Sequence, residues 1–342
     1  MHTDGLWDTL RGQTIFITGG TGFFGRWLLE SFAAANRRFG LRATAVVLSR
    51  DPKSFRAQAG MLGDEPSLRW VRGDVRTFAA ADLSAQLGDD APDIFHSVIH
   101  AASETSVPAN RDHPLRVLDT MVAGTRRVLD FAAQSGVKNF LLASSGAVYG
   151  EQPAGLSHVP ESYAGAPDMS SPLAAYGEAK RMAELLAHSY ARMAGMNCKI
   201  ARGFAFVGPY LALDAHYAIG NFIRDALAGR MIQVKGDGTP LRSYLYAADL
   251  AAWLWTILLR EDATGAFNVG SPEAFSISQI AETVARLVPG NPGVTVAQRP
   301  DPSEPVRRYL PDVSRARREL GLEVWTPLSR AVQNTLEFHL SQ

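Results

Sequence analysis

The chain has 342 residues, 46% apolar and 20% charged, so it is long enough to bury a large core and is not a disordered protein. Its 34 Lys and Arg balance 34 Asp and Glu, which leaves no net field to draw nucleic acid or an anionic membrane. The single cysteine, Cys198, excludes internal disulfides and thiolate metal clusters; in its apolar run a buried, inert thiol is expected, and no metal. The N-terminus lacks a basic n-region and an apolar h-region, and no apolar run nears the roughly 18 residues that span a bilayer, so a soluble, cytoplasmic protein is expected.

Residues 13–18 form a short apolar run rich in β-branched side chains and predict a buried strand. The run enters Gly19-Gly-Thr-Gly-Phe-Phe-Gly25 and then a helical stretch to about residue 35. Glycines 20, 22 and 25 satisfy G-x-G-x-x-G, and 19, 22 and 25 the looser G-x-x-G-x-x-G. Between a strand and a helix, such glycines permit a tight turn and a close approach of backbone to a pyrophosphate at the helix N-terminus. A purely structural glycine turn is the alternative.

Residues 43–48 predict a second strand, whose end is where an acidic side chain would hold the adenosine ribose of NAD. Ser49-Arg50-Asp51 stands there instead. A guanidinium suits a ribose 2′-phosphate, while Asp51, followed by Pro52, suits a turn, so NADP is favoured over NAD. Residues 68–72 predict a third strand, before Gly73-Asp-Val75, where Asp74 would meet an adenine amine or simply shape a turn. Residues 94–102 predict a fourth strand ending in His100-Ala-Ala-Ser103, with His100 as a core histidine and small residues at Ala101 and Ala102. A helix over 114–135 leads to a fifth strand, 139–143, and Ser144-Ser-Gly-Ala-Val-Tyr-Gly150. Strands alternating with helices imply a parallel, doubly wound sheet with ligands at the carboxyl ends of its strands.

The Pro-, Gly- and Ser-rich stretch 151–172 predicts a loop over the site. In the helix expected over 174–194, Tyr176 and Lys180 lie one turn apart on one face. A phenol beside an ammonium has its anion favoured, which suits a general acid or base, although two surface residues could share a face by chance. A sixth strand follows at 197–201; beyond Arg202 the alternation loosens. The sequence thus divides into a Rossmann-type dinucleotide-binding domain, 1–203, and a smaller, discontinuous substrate-binding lobe, 204–342, some segments of which return to the first domain.

Together, Thr18-Gly-Gly-Thr-Gly-Phe-Phe-Gly25, Ser144-Ser-Gly-Ala-Val-Tyr-Gly150, Tyr176-Gly-Glu-Ala-Lys180, Gly236-Asp-Gly-Thr-Pro-Leu-Arg-Ser243 and Phe267-Asn-Val-Gly270 resemble the extended short-chain dehydrogenase/reductases, nearest their nucleotide-sugar epimerase/dehydratase branch. The resemblance runs from about Thr14 to the last helix. It implies that Tyr176 is the acid/base, that Lys180 binds the nicotinamide ribose and depresses the phenol, and that Ser145 hydrogen-bonds the reacting oxygen. Gly19, Gly22, Phe23, Phe24, Gly25, Ser49, Arg50, Asp74, Val75, Ala101, Ala102 and Ser103 would complete the cofactor site. Glu104, Ser106 and Asn221 would face a nucleotide sugar, with Arg242 as the first arginine on its pyrophosphate and Arg299, or else Arg307 or Arg308, as the second. Relatives commonly dimerise through the helices expected over 114–135 and 174–194, so a homodimer is implied.

Three departures bear on the reaction. Gly146 and Ala147 stand where the 4,6-dehydratases carry acids, leaving Glu104 as the substitute carboxylate for an atypical dehydratase. Ala205 and Met121 replace asparagines of the family pattern. The leading reading is hydride transfer at C4 of a nucleotide-linked sugar, most simply by a 4-epimerase. An NADPH-dependent 4-ketoreductase is the next enzyme reading, and a non-catalytic dinucleotide sensor the reading from another class.

Overall fold

The computed structural model describes residues 4–215 and 217–341. Six strands and six helices build the first part of the chain: β1 (Thr14–Thr18), α1 (Phe23–Phe39), β2 (Thr44–Ser49), α2 (Pro52–Gln58), β3 (Leu68–Arg72), α3 (Ala80–Leu87), β4 (Ser97–His100), α4 (Val107–Asp112), α5 (Pro114–Gln134), β5 (Asn139–Ser145), α6 (Ala174–Ala194) and β6 (Asn197–Gly203). The sheet order is β3-β2-β1-β4-β5-β6, extended beyond β6 by the strand Gly265–Val269. The registered pairs linking β3, β2, β1, β4 and β5 are parallel. This is the doubly wound dinucleotide-binding order, with its reversal of direction between β1 and β4.

Alternation along the strands sends side chains to two helical layers. Phe16, Val46, Val98, Phe140 and Ile200 pack in one core with Val128, Phe131 and Ala132 of α5 and Ala183 and Ala187 of α6. Phe16 and Phe131 meet with ring centroids 4.7 Å apart. On the other face, Phe32 of α1 stacks on Trp255 of the helix Ala247–Leu259 at 6.0 Å. Cys198 belongs to the α5–α6 core, where burial pushes its thiol up to about 12.

Some bounds differ from those expected. α1 continues to Phe39 and stops at Gly40 in the left-handed region (φ 57°). β4 is confined to Ser97–His100, because Ile94 is 59% exposed and the His96 Nδ1, not a strand partner, accepts the Thr14 N–H at 3.0 Å. The sheet also does not end at β6: the strand Gly265–Val269 joins it from far along the chain.

The chain divides into two compact units. The first runs to Val148 and adds Ala166–Arg202 and Ala251–Phe267; the second comprises Tyr149–Gly165, Gly203–Leu250 and the remainder from Asn268. Within the second unit the segment after Tyr149 is pinned by polar bonds rather than by regular structure. Val159 bridges to Pro311, and the Gln152 Oε1 accepts the Leu310 N–H at 2.9 Å. The wholly buried Asn268 accepts from the Tyr149 hydroxyl at 2.7 Å and donates to the Val159 and Asp312 carbonyls at 2.8 and 3.0 Å. No helix among the described residues is long and apolar enough to cross a membrane.

Candidate active site

Because β5, β4, β1 and β2 are neighbours, their carboxyl ends lie in a row: Ser145, the segment from Ala101, the glycine turn and Ser49. Gly19 adopts φ 75°, and a Cβ there would come within 2.4 Å of the Ala101 carbonyl carbon. A Cβ on Gly25 would meet the Gly19 oxygen at 2.2 Å, so the turn and α1 close only with glycine at both places. At Gly22 a Cβ would meet nothing nearer than that oxygen at 3.5 Å. Gly22 is also the N-cap of α1 and offers no side-chain cap, leaving an open backbone surface at a helix N-terminus followed by Phe23 and Phe24. Among the described residues, the Ser103 Oγ is buried without a hydrogen-bond partner. An open glycine cradle beside an orphaned hydroxyl fits a dinucleotide.

At the end of β2, Ser49 is buried and its Oγ accepts the Asp51 N–H at 3.3 Å, while Arg50 is exposed. The Asp51 carboxylate accepts the Ser54 N–H at 3.0 Å and caps α2. Asp74 pairs with Arg76 at 2.7 Å; hydrogen bonds from Arg76 hold its carboxyl below the usual range. Val75 lies under Gly124, where a Cβ would approach its Cγ2 to 2.8 Å.

On α6, Tyr176 and Lys180 lie one turn apart, and Lys180 reaches β5. Lys180 is 5% exposed; its Nζ donates to the Ala143 carbonyl at 2.6 Å and lies 5.9 Å from the Tyr176 ring centroid. Burial lowers its pKa to about 8, and the Glu184 carboxylate acts in the opposite direction. The Ser145 Oγ accepts the Ala147 N–H at 3.1 Å. His100 is a core residue: its Nδ1 pairs with the Thr18 hydroxyl at 2.7 Å and its Nε2 with the Thr125 hydroxyl at 3.0 Å. Burial, and then the Lys180 charge, lowers it to about 3, so it is neutral.

The support beneath these groups is not among the residues expected from the sequence. Glu184 accepts the Ser144 Oγ–H at 2.5 Å and the Arg202 guanidinium at 2.7 Å, joining β5, α6 and β6. Its place four residues after Lys180 was a readable signal. Asn110 of α4 binds both Leu173 and Tyr176, which no local pattern announces.

The remaining candidates divide between the units. In the first, the Glu104 carboxylate accepts the Ser106 N–H at 3.2 Å and lies 3.9 Å from Arg116, and Ser106 caps α4. In the second, Arg242 and Arg308 occupy adjacent parallel strands, Leu241–Arg242 and Arg308–Tyr309. The Arg308 guanidinium donates to the Ala154 carbonyl at 2.8 Å, Asn221 accepts from Arg224 at 3.0 Å, and Arg299 is exposed.

The model of the NAD dependent epimerase/dehydratase family matches residues 15–270. The chain belongs to this family. It is accordingly an enzyme of the extended short-chain dehydrogenase/reductase group, with the Rossmann-type fold described above. UDP-glucuronic acid decarboxylase 1 of Arabidopsis thaliana is 29% identical over 310 residues, 90% of this chain and 66% of that protein, so this chain spans just under two thirds of its length. UDP-glucuronic acid decarboxylase 5 of the same plant is 30% identical over 311 residues, 90% of this chain and 84% of that one. Among solved structures, MoeE5 in complex with UDP-glucuronic acid and NAD has a TM-score of 0.75 at 26% identity, covering 96% of this chain and 99% of its own.

Proposed function

We propose that the chain is a 4-epimerase of a UDP-linked hexose or hexuronic acid. The observation that carries this reading is the end of β5. Ser145 is followed by Gly146 and Ala147, which hold no acid or base, beside a buried Lys180 one turn from Tyr176. The UDP moiety is supported by the relatives named for UDP-glucuronic acid and by MoeE5, which binds it.

When bound, a nicotinamide cofactor supplies the hydride acceptor and donor for C4. Tyr176 would take the C4 hydroxyl proton as the alcohol is oxidised and return it to the same oxygen when hydride re-enters C4 from the opposite face of the 4-keto sugar. Ser145 would hydrogen-bond the same oxygen, and the Lys180 ammonium would favour the phenolate. No further acid or base is required. Gly19, Gly22, Phe23, Phe24 and Gly25 would hold the pyrophosphate of the cofactor, Asp74 and Val75 its adenine, and Ala101, Ala102 and Ser103 its nicotinamide side. Arg50 would pair with a 2′-phosphate, so NADP is the form we infer. Glu104, Ser106, Asn221, Arg242, Arg299 and Arg308 would bind the sugar nucleotide. Exposed Leu115 on α5 and Met182, Leu185 and Met193 on α6 support a homodimer through these helices.

The relatives favour a second reading. A ketone at C4 of UDP-glucuronic acid is β to the C6 carboxyl, and such an acid loses carbon dioxide without another catalytic group. An NADPH-dependent ketoreductase and a dehydratase using Glu104 have weaker support, since Glu104 is engaged by the Ser106 N–H. The test incubates the protein with UDP-glucose, with UDP-glucuronic acid and with a 4-keto sugar nucleotide, each with either nicotinamide cofactor, and follows products by proton NMR and nicotinamide by absorbance. Appearance of the 4-epimer without net change in nicotinamide absorbance is expected. Release of carbon dioxide with a UDP-pentose, or consumption of NADPH by a 4-keto sugar nucleotide, would replace this reading by the corresponding alternative.

A further inference from the structure

The first turn of α6 has no cap of its own. Leu173 occupies the N-cap position, and its side chain has no atom to accept from the N–H groups that open the helix. The missing acceptor comes from a different helix. The Asn110 Oδ1 accepts the Tyr176 N–H at 3.0 Å, and its Nδ2 donates to the Leu173 carbonyl at 2.9 Å. One amide therefore grips both the entry to α6 and the residue that bears the phenol.

Asn110 is itself held firmly. It is 8% exposed and sits near the end of α4, whose start is fixed by Ser106, with the Ser106 Oγ accepting the Ala109 N–H at 3.3 Å. Its neighbour Ala109 packs with Val117 and Met121 of α5 and Ala179 of α6, in a cluster that the Tyr176 ring joins. A simple cap would need only the acceptor. Here the donor half of the amide is also used, on the residue three before Tyr176, so both ends of the first turn are set against α4.

We propose that Asn110 is a positioning residue for Tyr176: its amide caps α6 from outside the helix and fixes the turn from which the phenol meets the substrate. The inference rests on the reading of Tyr176 as the acid/base. Asn110→Ala should lower kcat by about tenfold or more, because small displacements of an acid/base are costly, while KM changes little. In a Tyr176→Phe background the same substitution should add no further loss, since there is no phenol left to place. Asn110→Asp keeps the acceptor for the Tyr176 N–H but loses the donor to the Leu173 carbonyl, and should recover only part of kcat. With isotope-labelled tyrosine, the Tyr176 ring resonance, identified by its absence in Tyr176→Phe, should move in Asn110→Ala and return part of the way in Asn110→Asp.

Equal losses from Asn110→Ala in both backgrounds, or an unmoved Tyr176 resonance, would overturn the proposal. If the resonance responds as expected while the unsubstituted protein turns over no UDP-sugar, the proposed function fails and the positioning role stands. Should Asn110→Ala not fold, Asn110→Ser carries the same comparison, because its hydroxyl is too short to span both partners.

Discussion

The Lys180 ammonium lies 5.9 Å from the Tyr176 ring centroid while its own hydrogen bond goes to the Ala143 carbonyl of β5. The lysine thus pins the helix to the sheet and places a positive charge beside the phenol. Burial makes that charge costly and brings the pKa to about 8; the Glu184 carboxylate, one turn further on, pulls the other way, and the amine remains mostly protonated at neutral pH. The pair is therefore more than two residues sharing a helical face.

Removing the phenolic oxygen tests the role assigned to it. Tyr176→Phe should reduce turnover by about 10²-fold or more, the range lost with a general acid/base. Calorimetric titration with the cofactor should give nearly the same affinity as before. Turnover within a few-fold of the unsubstituted protein would remove Tyr176 from the mechanism.

The Lys180 shift makes a pH prediction with opposite signs for rate and stability. As pH rises through about 8 the folded amine loses its charge, so turnover that depends on the charge should fall on the alkaline side. The unfolded chain keeps that proton up to about the ordinary value of 10.5, so between these two values the unfolded state binds more protons. The Lys180 contribution to stability therefore rises with pH across the window. Lys180→Met should lose this rise, read as the difference in urea midpoint from the unsubstituted protein. Lys199, also lowered to about 8 by burial, is present in both proteins and cancels.

Some parts of the fold and of the candidate site are legible from residues alone. β3 occupies the five positions expected of it, and the glycine turn follows β1, because both depend on contacts between near neighbours in sequence. Tyr176 and Lys180 are visible for the same reason. The strand Gly265–Val269 is not, since its place beside β6 is set by pairing across some sixty residues and its run carries no alternation. Asn110 is hidden more deeply: its worth depends on where α6 begins relative to α4, which only packing decides.

The NADP preference we infer rests on Arg50. An exposed guanidinium after β2, with Asp51 committed to the cap of α2, suits a 2′-phosphate. A charge-assisted bond of that kind is worth about 1.5–3 kcal/mol, so Arg50→Ala should weaken NADP by about tenfold or more. Affinity for NAD should stay within about twofold, because it lacks the phosphate. Equal losses for both forms in parallel titrations would remove the basis for NADP.

Glu184 links the site to the stability of the fold. Its carboxylate meets Arg202 at 2.7 Å, with side-chain exposures of only 8% and 15%, and accepts the Ser144 hydroxyl proton. A buried pair of this kind adds little relative to an apolar pair, yet removing one partner strands the other charge at a cost of about 3–5 kcal/mol. Glu184→Gln keeps an acceptor for Ser144 but leaves Arg202 without its counter-charge, so chemical denaturation should show a loss toward the lower end of that range. The lost carboxylate also no longer supports the Lys180 ammonium, and the alkaline fall in turnover should move to lower pH. Replacing both partners, Glu184→Gln with Arg202→Met, should recover part of the stability but not the position of that fall. Recovery of both would mean that Glu184 acts only through Arg202.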